Sequence, residues 1–105
     1  HKILVIIYCS IIKESNKNKR FMAIFRKHKG GDVIKITHFG QKNPKKGTFI
    51  DGRSDKDKEN YLKRHKPREN WDRYMTAGSL SRYILWNKKT FDESLKDYKK
   101  RFKLS

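Results

Sequence analysis

Residues 20–39 read RFMAIFRKHKGGDVIKITHF and place two hydrophobic runs on either side of a glycine pair. Phe21, Ala23 and Phe25 occupy alternate positions of the first run, and residues 33–39 alternate in the same way. This period of two is that of a β-strand with one buried face. Glycine at positions 30 and 31 tolerates the positive φ angles of a tight turn. The stretch therefore predicts an antiparallel hairpin.

The hydrophobic run before it, residues 3–12, is expected to add a third strand, because its many β-branched residues favour a buried strand. A basic residue ahead of a short apolar run is also typical of a signal peptide, but no small-residue cleavage motif follows here. The run is shorter than the roughly 20 residues of a membrane-spanning helix. We expect a three-stranded antiparallel meander, no membrane span, and a protein that is not secreted.

Helical signals begin after a loop that we predict over residues 40–52. Residues 54–65 start with acidic and end with basic side chains, which complements the helix dipole. Residues 80–86 form a second candidate helix. A capping box starts the third, whose apolar residues recur at helical spacing: Phe91, Leu95, Tyr98 and Phe102. Strands followed by helices predict one α+β domain over residues 1–105, with about three helices packed on one face of the sheet.

The composition fits a small folded domain with a basic surface. The chain has 105 residues, with 28 Lys and Arg against 11 Asp and Glu, and a formal net charge of +17. Its length excludes an enzyme with separate cofactor and substrate domains. A single cysteine, Cys9, excludes an intrachain disulfide. Although 37% of the residues are charged, 12% are aromatic, and disordered chains are poor in aromatic residues.

A charge this large on so small a domain repels itself, and a polyanionic partner relieves that repulsion. Nucleic acid is the commonest such partner, because phosphate contacts release counterions. The alternatives are an anionic membrane surface, an acidic protein surface, or a surface that is simply solvated. The predicted contacts come from the loop, the end of the first helix and the last helix: Lys42, Lys45, Lys46, Lys63, Arg64, Lys66, Arg68, Lys96, Lys99, Lys100 and Lys103.

No motif in the sequence predicts a metal or a cofactor. The four histidines and Cys9 lack the spacing of zinc ligands, and no glycine-rich loop of the phosphate-cradling kind is present. His38, His65 and Glu69 suggest a hydrolase in which one histidine is the base and the other the acid. Histidines at the ends of a strand and a helix more often cap those elements. We therefore favour a protein that is not an enzyme and name no catalytic residue.

Arg82 and Trp71 allow two further predictions. Arg82 lies in an otherwise apolar helix, so we expect its guanidinium to pair with the carboxylate of Asp51, Glu69 or Asp72. Trp71 follows a cluster of Arg and Lys side chains, and such mixtures of rings and cations can grip nucleic acid. For Trp71 itself we favour a place in the core.

Several short motifs together resemble a known family. They are His38-Phe39-Gly40, Tyr61-Leu62-x-Arg64-His65, Glu69-x-Trp71, Thr76-Ala77-Gly78-x-x-Ser81-Arg82-Tyr83-Ile84-Leu85-Trp86 and Tyr98-Lys99-x-Arg101-Phe102. The pattern spans residues 33–102 and resembles small uncharacterised proteins encoded by giant DNA viruses of algae and protists. A His-Lys-Asp element that is usual in that family is replaced here by Asp55-Lys56-Asp57. The resemblance implies a viral origin and a stand-alone basic domain, and it implies no particular activity.

The sequence thus predicts a non-enzymatic viral protein that binds nucleic acid, DNA or RNA, largely without sequence preference, since no base-reading motif is visible. The first alternative is a virion structural or docking protein that binds acidic viral or host proteins. The second is a small nuclease that uses His38, His65 and Glu69. The expected location is the virion or the infected host cell, in the cytoplasm or the nucleus.

Overall fold

Three antiparallel strands form one sheet in the computed structural model, which describes residues 6–42 and 46–105. The strands are β1 (Tyr8–Ile12), β2 (Lys19–Arg26) and β3 (Val33–Gln41), in the order β1-β2-β3. Phe21 of β2 pairs with Phe39 of β3 in the second antiparallel ladder. The predicted meander is confirmed.

One face of the sheet is buried because its alternate residues are apolar. Phe25 is fully buried and Phe39 is 1% exposed. The helices cover this face with apolar side chains of their own, among them Leu80, Ile84 and Tyr98. Burying a side chain as large as phenylalanine contributes about 1.5–3 kcal/mol to folding. The buried rings of this face therefore stabilise the packing of the helices on the sheet.

The opposite face of the sheet is open to solvent. Ile12, Ile34 and Ile36 are 42%, 41% and 46% exposed. His38 lies on this same face, because its neighbours in β3 point into the core. The helices therefore pack on one face of the sheet, as the α+β prediction requires.

Three helices follow the strands. They are α1 (Asp55–His65), α2 (Ala77–Leu80) and α3 (Phe91–Arg101). Short 3₁₀ turns at Phe49–Asp51 and Lys66–Arg68 stand before and after α1. The first of these lies in the segment predicted as a loop, and it buries Phe49 against the domain.

Side-chain oxygens cap the N-termini of α1 and α3 at the predicted positions. Ser54 Oγ accepts a hydrogen bond from the amide of Asp57 at 3.1 Å. Thr90 Oγ1 accepts one from the amide of Glu93, also at 3.1 Å. Each bond satisfies a donor that the first turn of a helix otherwise leaves unpaired.

The second helix starts earlier than predicted and then changes type. The sequence predicts residues 80–86, whereas α2 begins at Ala77 and continues as a π-helical turn, Ser81–Leu85. The amide of Trp86 donates to the carbonyl of Ser81 at 3.1 Å, which is the five-residue span of a π-helix. This wide turn buries Tyr83, Ile84 and Leu85 together.

The first strand starts later than predicted. Residues 3–5 of the predicted strand lie outside the described residues, and Ile6 and Ile7 precede β1. Tyr8 pairs with Arg26, the last residue of β2, so β1 has no partner strand before that point. Before β1, the carbonyl of Ile7 accepts a hydrogen bond from the amide of Ser105 at 3.0 Å instead.

Two substitutions are expected to separate the covered face of the sheet from the open one. Phe25→Ala removes a fully buried ring and leaves a cavity, so it should lower the free energy of unfolding by about 3–5 kcal/mol. Ile36→Thr keeps a β-branched side chain at a half-exposed position and should change it by about 0.5 kcal/mol or less. Urea unfolding followed by circular dichroism measures both. Equal losses would show that the open face is covered in the folded protein.

Candidate nucleic-acid interface

A cavity of about 660 Å³ opens at the end of the sheet where β1 stops and β2 starts. The cations that line it are Lys13, Lys19, Arg20, Lys42 and Lys46. They come from two separate segments, the β1–β2 turn with the start of β2 and the loop after β3. In an antiparallel meander these two segments lie at the same end of the sheet. We call this space the lysine cavity.

Asp51 fixes one wall of the lysine cavity through Arg20. The two side chains form a bidentate ion pair with N–O distances of 2.6 and 2.7 Å. The amide of Thr48 donates to the same carboxylate at 2.8 Å, and its hydroxyl donates at 2.9 Å. Gly47 passes so close that a Cβ atom there would lie 2.6 Å from the Cβ of Asp51, at a φ of +74°. This turn therefore requires glycine at position 47.

The carboxylate of Asp51 is held in its charged form by these partners. The hydrogen bond from Arg20 is the main cause that lowers the pKa of Asp51 from 3.8 to about 2, while burial opposes the shift. The two Thr48 donors act in the same direction as Arg20. Asp51 therefore binds Arg20 and Thr48 and does not form an ion pair with the neighbouring lysines that the structure describes.

The lysines of the cavity have no such partner. Within residues 6–42 and 46–105, none of Lys13, Lys19, Lys42 and Lys46 forms an ion pair. All four are exposed. Glu14 also lines the cavity and offsets part of their charge. The net field in the cavity is positive, which suits an anionic ligand.

A second cavity, of about 710 Å³, adjoins the first and shares Lys19, Lys42 and Gly47 with it. Aromatic side chains line its other wall: Tyr61, His65 and Trp86. Arg64 of α1 adds a cation beside them. We call this space the aromatic cavity, and the two cavities together the basic cleft.

The aromatic side chains of this cavity form a column. The rings of Tyr61 and Trp86 stack with centroids 4.6 Å apart and an interplanar angle of 7°. His65, one helical turn after Tyr61, adds a third ring with its centroid 4.3 Å from that of Tyr61. The guanidinium of Arg53 lies 5.8 Å from the ring centroid of Trp86 at the other end. Burial is the main cause that raises the pKa of Tyr61 to about 12, so its hydroxyl stays neutral.

Glu69 is held against this column. Its Oε2 accepts a hydrogen bond from Trp71 Nε1 at 2.7 Å, and its Oε1 lies 3.8 Å from Nδ1 of His65. A Cβ atom on Gly78 would lie 3.0 Å from Oε1, so this position leaves little room for a side chain. His65 and Glu69, two of the three residues of the hydrolase hypothesis, thus lie side by side.

The third residue of the predicted hydrolase triad has a different partner. His38 borders the aromatic cavity, but its Nδ1 lies 2.6 Å from Ser15 Oγ. Its side chain is on the open face of the sheet, and His65 and Glu69 border the same cavity from α1 and the turn after it. Because side chains alternate along a strand, the imidazole of His38 is on the opposite face from its buried neighbours Thr37 and Phe39.

The predicted ion pair of Arg82 is wrong. Its Nη1 donates to the carbonyl of Trp86 at 2.8 Å, and its guanidinium lies over the rings of Tyr83 and Trp71, at 4.9 and 5.5 Å from their centroids. Ring faces and a carbonyl thus replace a carboxylate, and burial lowers the pKa of the guanidinium. In the described part of the chain, no ion pair joins Arg82 to the predicted partners Asp51, Glu69 or Asp72.

The predicted contacts before α2 divide between the cleft and the surface beside it. Lys42, Lys46 and Arg64 line the basic cleft. Lys45 lies outside the described residues. Lys63 pairs with Glu59 of its own helix at 3.2 Å. The remaining two, Lys66 and Arg68, are exposed on the turn that follows α1.

The predicted contacts of the last helix lead away from the cleft. The first residue of α3, Phe91, lies under Lys13, whose Nζ is 4.8 Å from the ring centroid. Lys99 lies near the far end of the sheet, with its Nζ 5.5 Å from the ring centroid of Tyr8. The other three predicted contacts of this segment are exposed: Lys96, Lys100 and Lys103. They form a second basic area rather than a continuation of the cleft wall.

Sequence reasoning missed three lining cations, Lys13, Lys19 and Arg20. The signal that would have found them is the meander itself, because it places the β1–β2 turn beside the loop after β3. Lys13 and Lys19 border that turn, and the loop contains Lys42 and Lys46. Charge density along the chain does not reveal this neighbourhood.

The described residues contain neither a metal-binding cluster nor a membrane-spanning helix. No group of three or more His, Cys, Asp or Glu side chains there is arranged to hold a metal ion. None of the helices within residues 6–42 and 46–105 is both long and apolar enough to cross a membrane.

Asp51→Asn is expected to remove part of the acid sensitivity of the fold. A carboxyl group whose pKa falls from 3.8 to about 2 on folding stabilises the protein above about pH 4, and this contribution is lost as the pH falls through about 2. The variant should be less stable than the parent near neutral pH, and the difference should vanish at about pH 2. Thermal unfolding across this range measures it, with exposed Asp72→Asn as the control. A difference that does not change with pH would contradict the assignment.

Comparison with known proteins identifies a family but no activity. No curated protein and no solved structure matches the chain. A family profile described as "Family of unknown function (DUF5754)" matches residues 9–65. The matched region runs from within β1 to the end of α1, and so contains the lining cations of the lysine cavity and the Tyr61–His65 part of the aromatic cavity. Because the match covers more than half of the chain, the protein belongs to the DUF5754 family of unknown function.

Proposed function

We propose that this protein binds nucleic acid through the basic cleft, largely without sequence preference, and that it is not an enzyme. The observation that carries the proposal is the lysine cavity. There, four lysines without an ion pair in the described residues surround a concave space of about 660 Å³. Phosphate groups are the anions that such a surface neutralises most favourably, because their binding releases condensed counterions.

The overall charge supports the same proposal. The 28 Lys and Arg side chains face 11 Asp and Glu side chains, so the chain cannot neutralise itself. In the described part of the chain, the Lys and Arg side chains that reach a carboxylate are Arg20, Arg53, Lys63 and Arg101. Most of the other described Lys and Arg side chains are exposed, so their charge can be balanced by counterions or by a polyanion.

The chemistry of the lining side chains favours sequence-tolerant binding. Contacts to phosphate position a protein on nucleic acid but carry no base information directly. The lining cations are mostly lysines, which act as mobile point charges, and the one arginine of the lysine cavity is committed to Asp51. The exposed lysines of α3 extend the footprint along a longer polyanion.

Catalysis is not part of the proposal, because the histidines have structural partners. His38 is hydrogen-bonded to Ser15 and is directed away from the helices. His65 is stacked on Tyr61, beside a carboxylate that Trp71 already occupies. All three residues of the hydrolase hypothesis border the aromatic cavity, and each histidine there already has a structural partner.

The proposed setting is a virus. The motifs from His38 to Phe102 resemble small proteins of giant DNA viruses, and this resemblance is the support for a viral origin. We accordingly propose that the protein acts in the virion or in the infected host cell, in the cytoplasm or the nucleus. A compact polycation would serve there in contact with a long packaged genome.

The second candidate is a virion structural or docking protein that binds an acidic protein. The open face of the sheet favours it, because exposed apolar side chains such as Ile12, Ile34 and Ile36 are typical of surfaces that bind another protein. Polyglutamate serves as the probe for this alternative. If polyglutamate displaces a bound, labelled oligonucleotide as effectively as an unlabelled oligonucleotide of equal charge does, the result favours an acidic protein over nucleic acid as the partner.

Reversing charge inside the cleft is expected to weaken binding more than reversing it elsewhere. The cleft variant combines Lys19→Glu with Lys42→Glu, the two lysines that both cavities share. The matched control combines Lys27→Glu with Lys29→Glu, two exposed lysines in the β2–β3 turn at the other end of the sheet. Both variants change the net charge equally. Fluorescence anisotropy with a labelled oligonucleotide should show a roughly 10-fold or greater loss for the cleft variant and a much smaller loss for the control.

The salt dependence of binding supplies the control for this experiment. If the parent protein makes about 6–10 phosphate contacts, its affinity should fall about 10³–10⁵-fold between about 50 and 200 mM salt. The cleft variant should lose about one unit of the log–log slope for each contact removed. Equal losses for the two variants would show that net charge, not the cleft, attracts the ligand. No binding at low salt would overturn the proposed function.

A supercoiled plasmid incubated with the protein and Mg²⁺ or Mn²⁺ is expected to stay intact. The reason is that the imidazole of His38 is hydrogen-bonded to Ser15 and that of His65 packs on Tyr61. Gel electrophoresis detects nicking and linearisation. Cleavage that persists through purification and disappears in His65→Ala would establish the nuclease hypothesis instead.

A further inference from the structure

We propose that the basic cleft takes a single strand of nucleic acid rather than a duplex, with a base stacked on the ring of His65. This inference rests on the proposed function and specifies its ligand. It uses three features of the cleft: its dimensions, the separation of its charges from its rings, and the free end of the ring column.

The dimensions of the cleft suit one strand. Its two cavities, of about 660 and 710 Å³, each have the size of a site for one small molecule. A duplex presents a convex surface with its phosphates on the outside, so it would contact the rim of such a cavity and leave the interior empty. A single strand is narrow enough to enter, and its bases are free to turn away from the backbone.

The cleft also separates the two chemistries that a single strand needs. The lysine cavity supplies ammonium groups for the backbone, and the adjoining aromatic cavity supplies rings for bases. Lys19 and Lys42 stand at the junction and line both spaces. A charged groove beside aromatic side chains is how proteins bind single strands without reading sequence.

The ring column has one covered end and one free end. Arg53 lies over Trp86 at one end, and Tyr61 is sandwiched in the middle, 7% exposed. The side chain of His65 is 34% exposed at the other end. In the part of the chain that the structure describes, the column continues to no further ring beyond His65. A base placed there would extend an existing stack at little cost in ordering, because the imidazole already packs on the ring of Tyr61.

The test compares a mixed-sequence oligonucleotide with the same oligonucleotide annealed to its complement, in low salt, by fluorescence anisotropy. Both DNA and RNA versions are used. A third ligand is a single strand of equal length made of abasic units, which keeps the phosphates and lacks the bases. The full chain is used as the parent protein and as the variants His65→Ala, His65→Phe and His28→Ala.

We expect the parent protein to bind at least one of the two single strands about 10-fold or more tightly than the corresponding duplex. His65→Ala should weaken single-strand binding by roughly 5- to 100-fold, which is the effect of losing one base–aromatic stack, and should leave abasic binding unchanged. His65→Phe keeps a ring and should retain most of the affinity. His28→Ala, at an exposed histidine in the β2–β3 turn, should match the parent. Unfolding curves identify any variant that has lost its fold. If His65→Ala is unfolded, the binding of His65→Phe is compared with that of the parent protein instead.

The outcomes separate this inference from the function on which it rests. Duplex binding as tight as single-strand binding, or abasic binding as tight as that of the normal strand, would overturn the single-strand inference and leave nucleic-acid binding in place. Failure of all ligands to bind in low salt would overturn both.

Discussion

An aromatic core holds this fold together against the mutual repulsion of seventeen excess positive charges. The ring of Phe21 lies 5.6 Å from that of Phe39 and 5.4 Å from that of Phe91, which ties β2 to β3 and to the start of α3. The hydroxyl of Tyr98 donates to the carbonyl of Tyr74, so even the polar end of a buried ring is satisfied. Aromatic side chains bury more area per residue than aliphatic ones. A chain with 34% hydrophobic residues can therefore still close a core when 12% of all its residues are aromatic.

Because the chain has few carboxylates, their positions determine which positive charges remain unbalanced. Asp51 joins Arg20 to the loop after β3, and Asp97 accepts hydrogen bonds from Asn87 and Arg101. Asp57 pairs with Arg53, the residue that covers Trp86. Each of these carboxylates joins separate segments or fixes a helix, and none of the three reaches a lysine of the lysine cavity. Several cations rest on ring faces instead, as Arg82 does on Trp71 and Tyr83. The carboxylates thus stabilise the fold by pairing with arginines, and the lysines of the cleft keep their positive charge.

The strands and the first and last helices could be read from the sequence, because each has a strong local signal. Alternation gave β2 and β3, and side-chain caps at Ser54 and Thr90 gave the starts of α1 and α3. The π-helical turn could not be predicted, since nothing in its residues opposes a regular α-helix and tertiary burial selects the wider turn. The partner of Arg82 was missed for a related reason. Sequence identifies a buried cation but does not show that rings, rather than a carboxylate, will surround it. The candidate site was predicted in part: Lys42, Lys46 and Arg64 were named, whereas Lys13 and Lys19 needed the topology.

The aromatic cavity is hard to explain as a consequence of core packing. Its lining residues come from four separate segments: the start of β2, the end of β3 with the loop after it, the second half of α1 with the turn after it, and α2 with its π-helical turn. Residues that meet for packing alone lose their exposure, as Tyr61 does. His65 and Glu69 instead remain 34% and 28% exposed although neighbouring residues hold both in place. Close glycine positions at Gly40 and Gly78 keep the surrounding walls free of side chains. Positioned but accessible polar groups beside an uncovered ring support the proposed ligand-binding role of this surface, and the neighbouring lysines favour an anion as that ligand.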